Sequence, residues 1–102
     1  MSEKVYDEYI APKLMEIGTL CKQLGLPLVA QVEYAAGDFG LTRYVPEGAA
    51  LPMKLMDMAA VGGGNVDSLF IAIERHARKH GHSSIYLHRL GIPTTPEKGE
   101  KE

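Results

Sequence analysis

The sequence predicts an α+β fold with a long N-terminal helix, one β-hairpin and two to three C-terminal helices. An apolar period of three and four residues runs as far as Leu24, and a period of two follows from Leu28 to Tyr34. The chain also contains two helix-ending motifs, Leu24-Gly25-Leu26-Pro27 and Leu90-Gly91-Ile92-Pro93. In each motif, glycine can close the last helical turn in the left-handed conformation, and proline prevents the helix from continuing.

The composition is typical of one small globular domain, with 102 residues, of which 45% are hydrophobic and 24% are charged. We expect this domain over residues 1–93 and a disordered tail over residues 94–102, which lack apolar side chains. The net charge of −2 opposes wholesale binding to nucleic acid or to membranes. The apolar runs are too short to span a bilayer, we expect no signal peptide, and the single Cys21 cannot form an internal disulfide. We therefore expect a cytoplasmic protein that makes no membrane contact.

The predicted first helix runs from Ser2, its N-cap, to Leu24. Pro12 disturbs this helix because the proline ring clashes with the preceding turn. Either a short helix ends near Ala11 and a second helix begins with Pro12, or one helix kinks at Pro12, which we favour. The apolar positions share one stripe along the helix: Val5, Tyr6, Tyr9, Ile10, Leu14, Ile17, Leu20, Cys21 and Leu24.

Strict alternation then predicts a β-strand. One face of the strand carries Leu28, Ala30, Val32 and Tyr34, and the other carries Val29, Gln31 and Glu33. Residues 36–40 have the composition of a turn, and residues 41–45 resume a strand. Because an isolated two-stranded sheet is only marginally stable, we expect the hairpin to pack on the helices or to gain a strand from another chain.

Up to three helices follow the hairpin. Pro52 starts a short helix that is rich in methionine and ends at the glycines of residues 62–64. Asn65 is a strong N-cap for a helix over residues 66–80. Ser83 or Ser84 caps a final short helix, residues 85–90, which the second helix-ending motif closes.

These features favour a non-enzymatic binding or regulatory protein that acts through protein contacts as a homodimer. The hairpin is too small to stand alone, methionine adapts to irregular partners, and no residues form a catalytic constellation. Cys21 lies on the apolar stripe, where free cysteine behaves as a small hydrophobe. We expect no cofactor, and we place the partner surface at Phe39, Tyr44, Met53 and Met56. In its compact, motif-poor build the chain is similar to the small accessory proteins that phages and prophages carry.

An alternative interpretation is a nucleotide or nucleic-acid binder that uses the basic patch on the helix over residues 66–80. The patch consists of Arg75, Arg78 and Lys79, joined by Arg89, and such cations can contact phosphate groups. Cations near the C-terminal end of a helix also stabilise its macrodipole, which is a purely structural role. The patch has no neighbouring aromatic array on which bases could stack.

A second alternative is metal binding through the C-terminal histidines. His76 and His80 are four residues apart, so both imidazoles can lie on one side of a helix. Arg78 and Lys79 lie between them and oppose a divalent cation. The metal interpretation is therefore the weaker one, and we expect no metal.

Overall fold

The computed structural model describes residues 3–97 and confirms the predicted α+β fold. Its elements, in chain order, are α1 (Glu3–Val5), a π-helical turn (Tyr6–Ile10), α2 (Ala11–Leu24), β1 (Leu28–Ala35), β2 (Asp38–Tyr44), α3 (Leu51–Gly62), α4 (Val66–His80) and α5 (Ile85–Arg89). The chain divides into two compact units, one ending at Val61 and one beginning at Gly62. In the part of the chain that is described, every helix is too short or too polar to cross a membrane.

The N-terminal helical segment is continuous from Glu3 to Leu24, so its two parts are not separate helices. In place of a simple kink, the turn before Pro12 is π-helical, and the Ala11 N–H donates to the carbonyl of Tyr6 five residues earlier. This wider turn relieves the clash that the proline ring would make in an α-helix. The predicted N-cap, Ser2, lies outside the described residues.

Both helix-ending motifs form as predicted. At the end of α2, Gly25 adopts a φ of 73°, and the Leu26 N–H donates to the Cys21 carbonyl at 2.8 Å. At the end of α5, the Ile92 N–H donates to the Leu87 carbonyl at 3.1 Å in the same pattern. These hydrogen bonds satisfy carbonyl groups that the helix itself leaves unpaired.

The hairpin turn is tighter than the sequence predicted. Gly37, with a φ of 81°, closes the turn, and its N–H donates to the Glu33 side chain at 3.1 Å. Residues 38–40, which have the composition of a turn, instead begin β2, where Phe39 pairs with Glu33 and Gly40 pairs with Val32. A glycine with positive φ reverses the chain in fewer residues than the composition of the segment indicated.

Unit 1, which ends at Val61, is built by packing one face of the hairpin against the N-terminal helix. Tyr6 is only 8% exposed and stacks on Tyr34 of β1. Gly18 of α2 lies against Thr42 of β2, because a Cβ added at Gly18 would lie 3.1 Å from Cγ2 of Thr42. The predicted alternation of β1 is therefore correct for the packed face.

An ion pair joins β2 to α3 in unit 1. Arg43 donates two hydrogen bonds to the carboxylate of Asp57, one of them from Nη2 to Oδ2 at 2.7 Å. The hydrogen bonds to Asp57 raise the pKa of Arg43. The ion pair links α3 to β2.

Unit 2, which begins at Gly62, contains α4 and α5. Asn65 caps α4 by accepting from the Ser68 N–H at 2.9 Å, and Ser84 caps α5 by accepting from the Leu87 N–H at 3.0 Å. The segment after α5 returns to α4, where the Glu97 N–H donates to the Arg78 carbonyl at 2.9 Å. Of the predicted tail, residues 94–97 thus belong to the described structure, and residues 98–102 lie outside it.

Candidate partner-binding surface

One side of the N-terminal helix carries four large apolar side chains that are exposed. They are Ile10, Ile17, Leu20 and Leu24, which are 40%, 48%, 52% and 62% exposed. Because they are spaced by seven, three and four residues, they form one strip along the helix. We call this strip the α2 ridge.

The ridge is uncovered because the apolar stripe of this helix is wider than the hairpin. The half-buried Leu14, Gly18 and Cys21 define the side of α2 that packs on the strands. At about 100° per residue, the centre of the ridge lies about a quarter turn away from that packed side. A two-stranded hairpin covers one side and leaves the other in solvent.

Polar side chains border the ridge. A shallow depression on α2 is lined by Ile17 and Leu20 of the ridge and by Lys13, Glu16 and Gln23 beside it. An apolar strip with a polar rim is the usual anatomy of a protein–protein interface. A depression formed by a single helix cannot enclose a small molecule, since ligand sites bury most of the ligand surface.

The residues that the sequence placed at the partner surface have different environments in the structure. Phe39 is 49% exposed and Met56 is 50% exposed, whereas Tyr44 and Met53 are half-buried. Phe39 and Leu41 share the sheet face opposite the helix. The sequence predicted the apolar stripe of the first helix but not the exposed ridge. The signal for the ridge was the width of this stripe, which is greater than a two-stranded hairpin can cover.

The structure changes the interpretation of the basic patch. Arg78 donates to Glu74 at 3.0 Å and to Glu97 at 2.9 Å, and these bonds, the one to Glu97 first, raise its pKa. Its guanidinium is therefore occupied by two carboxylates. Arg75, Lys79 and Arg89 are exposed.

Within the part of the chain that the structure describes, the histidine pair on α4 has no third residue beside it that would complete a typical protein metal site. The rings of His76 and His80 have centroids 4.5 Å apart and planes inclined by 39°. Among residues 3–97, no three His, Cys, Asp or Glu side chains are grouped so that they could hold a metal ion. Structural and catalytic zinc sites use at least three protein ligands, so this pair falls short of that pattern.

His82 has a structural role that the sequence analysis did not identify. Its Nδ1 accepts from the Ser84 N–H at 3.0 Å, which leaves Nε2 to donate to the Ile92 carbonyl at 3.0 Å. This neutral tautomer links the start of α5 to the segment that follows it. The signal was a histidine two residues before a serine N-cap.

Comparison of the chain with protein-family models, with curated proteins and with solved structures gives no match. The α2 ridge is an exposed apolar strip of four side chains that share one side of a long helix. Large apolar side chains that are contiguous and exposed mark interaction sites in soluble proteins.

Proposed function

We propose that this chain is a small, non-enzymatic binding or regulatory protein that acts through protein contacts, and that it works as a homodimer paired across the α2 ridge. The observation that carries the proposal is the exposure of Ile10, Ile17, Leu20 and Leu24 on one strip. Burying such side chains is worth about 1.5–3 kcal/mol each when they pass fully from solvent to a core. The single free Cys21 supports a reducing, cytoplasmic setting.

A second copy of the chain is the partner that the ridge fits best. Ile10, Ile17 and Leu24 repeat every seven residues, which is the spacing of helices that pack side by side. Lys13 lies within the same strip, so a parallel pair in register would bring two ammonium groups together. An antiparallel pair keeps the two Lys13 side chains apart, and we therefore propose that orientation.

Light scattering after size exclusion at micromolar concentration tests the dimer. We expect twice the 11.1 kDa of one chain. Ile17→Glu places a carboxylate in the centre of the ridge and should give the monomer mass. Lys22→Glu is the matched control, because Lys22 is exposed on α2 away from the ridge and does not line the shallow depression beside it, so this variant should keep the dimer.

The circular dichroism and melting temperature of both variants must match those of the original chain, so that loss of the dimer is not loss of the fold. A wild-type chain with the mass of a single copy up to millimolar concentration would overturn the homodimer. Equal dissociation by both variants would show that the ridge is not the contact surface.

The alternative function, contact with phosphate groups, is favoured by one observation. Between Arg75 and Pro96 the chain contains four Lys and Arg residues and four His residues but no Asp or Glu. Of those cations, Arg75, Lys79 and Arg89 are exposed. This alternative predicts nucleic-acid binding that weakens with salt and in an R75E/K79E variant. Absence of binding at low salt would remove it.

A further inference from the structure

The outer edge of β1 has the features of a pairing site. β1 has eight residues, and within the described part of the chain the sheet has two strands, so one edge of β1 has no strand beside it. Glu33 is its one charged residue, and it contains neither proline nor glycine. Soluble proteins protect edge strands with lysine, proline, short length or a bulge. β1 lacks the first three, and its pairing is irregular only at its C-terminal end, between Glu33 and Ala35.

Of the N-terminal helical segment, α2 packs more closely on β2 than on β1, and the contacts with β1 come from α1 and from the Tyr6 ring on Tyr34 as well as from α2. Gly18 contacts Thr42 of β2, and the Tyr6 ring lies over Gly40 of β2. β2 also carries its own protection, because it contains Asp38, Gly40 and Arg43. The free edge of β1 is thus the more favourable of the two edges for pairing.

We propose that β1 pairs in antiparallel orientation with β1 of a second copy and forms a four-stranded sheet across the homodimer. The inference deepens the proposed function and depends on it, because it names how the second copy is bound. The strand order is then β2, β1, β1 of the second copy and β2 of the second copy. Both sheet halves are joined by one two-fold axis, which closes the assembly at two copies.

The alternation of side chains limits the register of this pairing. Residues that face the helix must oppose residues of the second copy that also face the helix, because a one-residue slip would turn them to the other face. A two-fold axis through Gln31 meets this condition. It places Leu28 opposite Tyr34 of the second copy and Ala30 opposite Val32 of the second copy, so only the outermost pairs, those of Tyr34, reach the irregularity between Glu33 and Ala35.

The charges of β1 agree with the antiparallel arrangement. With the axis at Gln31, Glu33 lies opposite Val29 of the second copy, and its carboxylate is distant from the other Glu33. A parallel pair in register would place the two Glu33 carboxylates side by side, which is destabilising. The charge of β1 therefore favours antiparallel pairing of the two copies and disfavours parallel pairing.

The two-fold axis through Gln31 also relates the α2 ridges of the two copies. An axis perpendicular to the sheet keeps both α2 helices on one face of the four strands. The ridge points along the plane of the sheet, since it lies about a quarter turn from the packed side of α2. We place the ridge on the β1 side of α2 and the two ridges against each other above the central strands, so that edge and ridge form one interface.

Cysteine cross-linking tests the edge pairing in a Cys21→Ser background. Gln31→Cys should give a covalent dimer with a short bismaleimide, because the two Cα atoms would lie about 5 Å apart. Leu41→Cys is the matched control, since Leu41 pairs with Gln31 within the hairpin and shares its sheet face. Its two copies would be three strand spacings apart, about 14 Å, and should cross-link far more slowly.

A charge variant tests the same contact without a cross-linking reagent. Gln31→Lys would place two ammonium groups directly opposite each other and should weaken the dimer by roughly threefold to fivefold. Leu41→Lys should leave its dissociation constant unchanged. Analytical ultracentrifugation measures both, and circular dichroism checks that each variant keeps its fold.

The outcomes separate this proposal from the proposed function. If Ile17→Glu gives monomers while Gln31→Lys leaves the dimer intact and Gln31→Cys fails to cross-link, the edge pairing is wrong and the ridge dimer stands. If the original chain is monomeric throughout, both are wrong. Cross-linking of Gln31→Cys, without cross-linking of Leu41→Cys, supports the four-stranded sheet.

Discussion

Tyr6 and Tyr34 stack with their ring centroids 5.1 Å apart and their planes inclined by 25°. Tyr6 comes from the π-helical turn and Tyr34 from the end of β1, so the stack joins the first helical segment to the hairpin. Gly40 of β2 lies directly beneath the Tyr6 ring, where a Cβ atom would overlap it. The three residues pack closely at the junction of the helical segment and the hairpin.

Gly40→Ala should destabilise unit 1 by about 1–3 kcal/mol, because the added methyl group must displace the Tyr6 ring from its stack. Chemical denaturation followed by circular dichroism measures the change. Gly48→Ala is the control, since a Cβ at Gly48 meets no atom within 4 Å. A Gly40→Ala variant as stable as the control would show that the ring does not lie over this strand.

Alkaline pH should destabilise the fold through Tyr34. Burial raises the pKa of Tyr34 above 10.0, and the charges of Glu3, Asp38 and Asp7 raise it further. Above that pH the unfolded chain loses the phenolic proton before the folded chain does, which favours unfolding. The contribution of Tyr34 to the free energy of unfolding should therefore be constant below pH 10. It should fall as the pH rises through the pKa of Tyr34 in the folded chain.

Tyr34→Phe isolates the contribution of this one hydroxyl, because the other tyrosines and the lysines titrate in the same range. The variant should lose less stability than the original chain between neutral pH and alkaline pH. Urea denaturation at matched ionic strength measures both curves. Parallel curves for the two proteins would contradict the raised pKa.

The Arg43–Asp57 pair should show a measurable coupling between hairpin and α3. Asp57 is 18% exposed at its side chain and Arg43 is 44% exposed, so solvent screens the pair only in part. A double-mutant cycle with Arg43→Ala and Asp57→Ala should give a coupling energy of about 0.5–1 kcal/mol. Additive single variants would mean that the pair does not stabilise the fold.

Local chemistry explains which features could be predicted from the sequence. Gly25, Gly91, Asn65 and Ser84 each end or begin a helix through hydrogen bonds to residues within one or two turns, so their neighbours in the chain are sufficient to identify them. The helix over residues 66–80 has the predicted bounds for that reason. The alternation of β1 likewise depends only on adjacent residues.

Contacts between distant residues could not be predicted in this way. Arg43 and Asp57 are 14 positions apart, and His82 and Ile92 are ten positions apart, with no periodic pattern linking them. The π-helical turn before Pro12 depends on which carbonyl accepts the hydrogen bond from the Ala11 N–H, and the spacing of apolar residues does not predict that carbonyl. The exposed ridge could not be predicted for a related reason. Periodicity locates an apolar stripe on a helix, but it does not show how much of that stripe the hairpin covers.

His82 should hold the start of α5 in place, and replacing it should loosen that segment of unit 2 before the rest. The ring accepts from the Ser84 N–H and donates to the Ile92 carbonyl, and Ile92 is only 5% exposed. His82→Ala removes both bonds and should cost about 1–2 kcal/mol in local stability. Hydrogen exchange should become faster at the amides of Ser84 and Leu87.

His88→Ala is the control, because His88 is exposed on α5. Unchanged exchange at Ser84 in the His82 variant would show that the ring does not accept from that amide.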